Sequence, residues 1–216
     1  MTDRVFDIRA SLFGGETDLG EEAVEEYERE LACLFEESPE GKAVAAEGVE
    51  LGFARSIIHY LLGHVGVAVP EMTTEDFEEV LFDLVPAKVS VEPEEARNMI
   101  LEARGFCAYL RRAHGLDNAT ECLAVIEDDA AIDRLREALA DPGNWGMAKS
   151  MVMEGMARGF DVSSKEGLEQ WFAAYNASLP PLPARSGGIT LGAVRRTDAA
   201  RRKKRKQQKA ARRKNR

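Results

Sequence analysis

The chain is predicted to be all-α: a compact multi-helix domain of about eight helices, followed by a disordered polybasic C-terminal tail. Three observations lead there. Apolar residues recur at the helical interval through most of the first 178 residues. Only short runs such as Lys88 to Val91 and Gly188 to Leu191 look extended, which makes a sheet improbable. Finally, the charge inverts near residue 195: 13 of the 29 Lys and Arg lie in the last 22 residues beside a single acid, Asp198. That segment carries +12 and the preceding residues −21, summing to the net −9. Such asymmetry concerns partners more than fold.

Taken in order, residues 1–17 read as a flexible N-terminus and 18–178 as one acidic helical domain. In the first helix Val24, Tyr27, Leu31, Leu34 and Phe35 form a stripe, with Glu21, Glu22, Glu25, Glu26, Glu28 and Glu30 assigned to its solvated face. Lys42 to about Val67 suggests a longer, more apolar and central helix, breakable near Gly48 or Gly52. Phe77, Val80, Leu81, Leu84 and Val85 make the next stripe. Pro93, Glu94 and Glu95 suit a first turn, where proline loses no hydrogen bond and acids face the positive end of the dipole. That helix continues through Met99, Ile100, Ala103, Phe106, Cys107 and Leu110 to a glycine cap at Gly115.

Asp117 or Asn118 is expected to cap a helix through Val125, and Ala130 to Ala140 forms another. Asp141-Pro142 reads as N-cap and first residue of a helix running to about Arg158, with Trp145 inward and Gly159 as its stop. Ser163 and Glu166 have capping-box spacing ahead of a helix with an aromatic face of Leu168, Trp171, Phe172 and Tyr175. Residues 179–194 form a linker, stiffened by Pro180, Pro181 and Pro183 and loosened by Gly187-Gly188. Pro180 to Arg185 also matches P-x-x-P-x-[KR], but a linker needs prolines regardless.

Chemical signatures in the body are weak. Gly143 to Ser150 lacks one glycine of the phosphate-loop pattern, with Ala148 in its place, and a helix rather than a strand precedes it. Met147, Met151, Met153 and Met156 are expected to fill core gaps. His59 and His64 are five apart, about 140° on an α-helix, so no metal ligand is assigned, and His114 is a structural or partly exposed histidine. Cys107 and His114 lie two turns apart, too far for a thiolate–imidazole pair. The three cysteines, Cys33, Cys107 and Cys122, are expected to be reduced thiols, which points to a cytoplasmic setting; no membrane segment is visible. Catalytic residues and cofactors are expected to be none.

The tail is the strongest signal. Arg201, Arg202, Lys203, Lys204, Arg205, Lys206, Lys209, Arg212, Arg213, Lys214 and Arg216 are the candidate nucleic-acid-binding residues, set among Ala and Gln without an aromatic. Counterion release from phosphates would drive their binding to RNA or another polyanion, and the lack of stacking residues argues against sequence readout. The body is expected to supply a protein partner. Two alternatives are an enzyme with a site in a helical cleft, and a protein–protein adaptor whose tail is incidental.

The run Asp141-Pro142-Gly143-Asn144-Trp145-Gly146-Met147-Ala148-Lys149-Ser150, continuing to Gly159-Phe160-Asp161 and Trp171 through Tyr175-Asn176, resembles a group of uncharacterised prokaryotic helical proteins. Those share a D-P-x-N-[WF]-G-x-A-K-S run, an acidic body and a basic C-terminus. The similarity covers roughly Glu71 to Asn176 and the tail, and implies an all-helical fold and nothing about chemistry.

Overall fold

A computed structural model describes residues 6–9 and 21–178. The linker and every tail residue assigned to nucleic acid lie outside the described residues. Among those described, regular structure is entirely helical, with no strand. They divide into two compact units, with the boundary in the sequence between Glu154 and Gly155.

The N-terminal unit begins with α1 (Glu21–Glu36), which buries Tyr27, Leu31, Ala32 and Phe35. Its stripe is rotated from expectation. Leu34 is exposed, whereas Glu28, assigned to the solvated face, turns inward at 5% exposure. Part of the N-terminal segment expected to be flexible is pinned here: Ile8 is buried, its carbonyl accepts from Tyr27 Oη at 3.0 Å, and Phe6 packs on the Tyr27 ring.

The long helix expected over Lys42–Val67 is two. Ser38 Oγ caps α2 (Pro39–Ala46) by accepting from the Gly41 N–H. Gly48 (φ 84°) and Gly52 (φ 150°) then take left-handed-side conformations that a side chain would strain, which ends one helix and starts the next. Next comes α3 (Phe53–Tyr60), which opens into a π turn, Leu61–Val65, closed by Gly66. A capping box between Thr73 and Asp76 begins α4 (Thr74–Glu78). It widens into a second π turn, Glu79–Leu84, before α5 (Val85–Lys88).

The central element is α6 (Ala96–His114), preceded by a 3₁₀ turn at Pro93–Glu95. It buries Met99, Ile100, Ala103, Phe106, Cys107 and Leu110 and contacts α2, α3, α7 (Asp117–Val125) and α8 (Ala130–Ala140). Gly115, at φ 61°, ends it: its N–H donates to Arg111 O, and that of Leu116 donates to Leu110 O while the Leu116 side chain is buried. This is the expected glycine cap with its apolar contact. At Gly105 a Cβ would come within 2.6 Å of Val44, so the missing side chain lets α2 approach α6.

Asp141-Pro142 caps a 3₁₀ turn, Pro142–Asn144, and the helix α9 (Met147–Ala157) starts only after Trp145-Gly146. The C-terminal unit holds the end of α9 and α10 (Lys165–Ser178). Trp171 is fully buried there among Phe160, Tyr175 and the slot left by Gly155. The N-cap is Ser164, whose Oγ accepts from Gly167 N, one residue later than expected. Phe172 is exposed, so the predicted aromatic face is narrower than expected.

Candidate functional site: a histidine cluster at a π turn

His59 lies on α3 and His64 on the π turn that follows. In an α-helix residues five apart diverge, but a π turn bonds i to i+5 and brings them to the same side. The ring centroids of His59 and His64 are accordingly 6.0 Å apart, inclined by 61°, and Tyr60 packs edge-on against both at 5.4 and 5.1 Å. The expectation that these histidines point apart is overturned by the change of helix type.

Glu28 completes the cluster from α1. Its carboxylate accepts from His59 Nδ1, at 3.2 Å to Oε1 and 3.3 Å to Oε2. The acid is buried while the imidazole is about half exposed, so one ring edge is anchored in protein and the other is open to water. His64 keeps its Nδ1 shielded from solvent. Among the described residues no three His, Cys, Asp or Glu side chains are arranged to hold a metal ion.

Other buried polar groups are committed to architecture. Glu102, 1% exposed on α6, reaches the start of α3, where Oε1 accepts from the N–H groups of Gly52 (2.9 Å) and Ala54 (2.8 Å). Burial still raises its pKa, against the lowering effect of those bonds. By contrast Glu40, in the first turn of α2, is held down to about 2, chiefly by its hydrogen bonds with Arg112. Burial pushes the Cys107 thiol far up and that of Cys122 to about 12, which leaves both as apolar fillers; Cys33 is exposed. His114 does not approach a thiol but meets Tyr109 Oη at 3.0 Å.

The near phosphate loop, Gly143–Ser150, is a clasp on two helix ends. Asn144 Nδ2 donates to Ala138 O and Trp145 Nε1 to Leu139 O, which caps the last carbonyls of α8. Gly146 N donates to Ala87 O at 2.8 Å and Lys149 Nζ to Pro86 O at 3.0 Å, which does the same for α5. A Cβ on Gly146 would lie 2.7 Å from Ala87 O, so this residue must be glycine. Lys149 is 4% exposed, sits over the Trp145 ring, and has its pKa lowered by burial. The amine that a phosphate loop would aim at its ligand is therefore spent inside the fold. Trp145 itself is only half-buried. Met147 is almost wholly exposed and Met156 half so, against the expectation of core packing, while Met151 and Met153 are partly covered.

No protein-family model matches the chain, and no curated protein or solved structure is significantly similar to it. Among the described residues no helix is long and apolar enough to cross a membrane.

Proposed function

We propose that this is a non-enzymatic binding protein whose basic segment, 195–216, holds RNA or another polyanion through its phosphates without sequence specificity. One observation carries the reading: thirteen cations within twenty-two residues, tethered to a helical body of opposite charge. Glu22, Glu25 and Glu26 are exposed along α1, so the body offers the same cations an internal competitor. Being part of the same chain holds that competitor at an effective concentration in the millimolar range. The body's role is to bind a protein partner and so add specificity. The non-enzymatic part rests on the acids, amine and thiols that structural bonds or burial already occupy.

The test is fluorescence anisotropy of a labelled RNA with full-length protein, residues 1–194 and the peptide 195–216. The peptide should bind more tightly than the full chain at low salt. Affinity should fall with log salt at a slope near −4 to −5 if about six phosphates are neutralised. Equal binding by 1–194 and the full chain would overturn the reading, and salt-insensitive affinity would overturn its electrostatic basis.

A further inference from the structure

We propose that His114 is a proton-sensitive latch for the N-terminal segment: the neutral ring helps to hold residues 6–9 on α1 and the end of α6, and protonation of the ring releases them. The segment forms a turn outside any helix and is held by few contacts. Ile8 is buried, and among the described residues one hydrogen bond ties it to the helices, from Tyr27 Oη to Ile8 O. Phe6 lies on the Tyr27 ring, with centroids 5.2 Å apart, and meets the His114 ring edge-on at 6.2 Å. The same imidazole contacts Tyr109 Oη through Nε2 at 3.0 Å and the Tyr109 ring edge-on. His114 is therefore shared between the central helix and the segment.

Its surroundings disfavour a charge. Burial first, and the Arg112 guanidinium second, place the His114 pKa below the ordinary imidazole value of about 6.5. Glu40, on α2, is bonded to that guanidinium. Tyr27 and Tyr109 stay neutral, since burial raises both phenols and the charge of Asp7 on the segment raises Tyr27 further. Arg111 and Asp117, the next charges along the chain, are exposed. The C-terminal end of α6 favours an imidazolium, but it does so whether the segment is bound or not. Lifting Phe6 away, by contrast, returns water to the ring. The proton thus binds more strongly when the segment is off, and by linkage acid favours release. The held form keeps its full advantage above about 6.5 and loses it as pH falls through the lower pKa of the held state.

The test is nuclear magnetic resonance of the full chain labelled at the isoleucine δ1 methyls, titrated from pH 7.5 to pH 5, with a peptide of residues 1–12 as the reference for the released segment. The ratio of released to held Ile8 should rise as pH drops below about 6.5, by up to about tenfold per pH unit for one proton. Ile57 and Ile100, fully buried in the same unit, should not move. His114→Gln keeps a polar group for Tyr109 Oη but takes up no proton, and its ratio should be independent of pH. Arg112→Met removes the cation that opposes protonation and should make the rise shallower. The coupling is reciprocal, so Phe6→Ala should raise the titration midpoint of the His114 ring protons toward about 6.5. Circular dichroism of each variant confirms that the helices persist across the range. An Ile8 signal that stays at its held position to pH 5, the same pH response in His114→Gln as in the wild type, or a His114 midpoint unmoved by Phe6→Ala would each overturn the proposal.

Discussion

Two stretches of the N-terminal unit, His59–His64 and Gly143–Ser150, differ in the opposite sense from their sequences. The second nearly spells a phosphate loop, yet its glycine, tryptophan and lysine all bond to carbonyls at the ends of α5 and α8. The first carries two histidines at a spacing that separates them on an α-helix, yet a π turn brings their rings to 6.0 Å. A motif acquires chemistry only through the backbone that presents it. Where backbone type changes within one helix, side-chain spacing must be reread.

If the clasp is architectural, altering it should cost stability. The scale is set by Trp171→Ala in the C-terminal unit, expected to lose about 3–5 kcal/mol because it empties a fully buried aromatic site. Chemical denaturation measures it, and an unchanged midpoint would mean that this unit has no core of its own. Gly146→Ala should lose about 1–3 kcal/mol from its clash with Ala87 O. Lys149→Met, which strips the donor from Pro86 O, should lose about as much. Neither substitution should alter nucleotide binding, since the clasp has no phosphate role; an ATP-dependent rise in melting temperature that Lys149→Met abolishes would reverse the comparison.

The two capping carboxylates sharpen the same contrast through pH. Glu102 has a raised native pKa, so its native form keeps a proton that the unfolded chain has lost, and its contribution to stability falls as pH rises above about 4.3. Glu102→Gln keeps an acceptor oxygen for the α3 amides and should remove that fall. Glu40 has a lowered native pKa, so its pairing with Arg112 stabilises fully above about 4.3. That contribution disappears as pH drops through about 2. Urea titrations of wild type, Glu102→Gln and Arg112→Met across these ranges separate the two. A Glu102→Gln profile parallel to wild type would contradict the assignment. Smallest of all, His59→Asn should cost less than about 1 kcal/mol, because a half-exposed ring is replaced by a group that can still donate to Glu28.

Much of the fold was legible because helical periodicity and caps are local. The Gly115 cap, the α6 stripe and the buried Trp171 all followed from nearest-turn chemistry. Features that depend on a distant partner were not. Glu28 was read as solvated, and Glu102 drew no reading at all, because nothing near them in sequence announces His59 or the amides of α3. The π turns left no mark, since their apolar residues continue the same stripe. Leu34 was assigned to the core for the same reason that Glu28 was not: hydropathy alone orients a helix by its average, while packing decides each residue. Lys149 and Gly146 advertised a phosphate loop because the carbonyls they serve lie some sixty residues earlier in the chain. The basic tail was legible as charge, which needs no fold.

The comparison rests on the π turn, and the most direct measurement is the nuclear Overhauser effect between the ring protons of His59 and His64 in selectively labelled protein. The edge-on geometry predicts a direct cross-peak between the two imidazoles, and one from each to the Tyr60 ring. Tyr60 cross-peaks without any His59–His64 contact would mean that the helix runs on in α geometry, which would contradict the cluster.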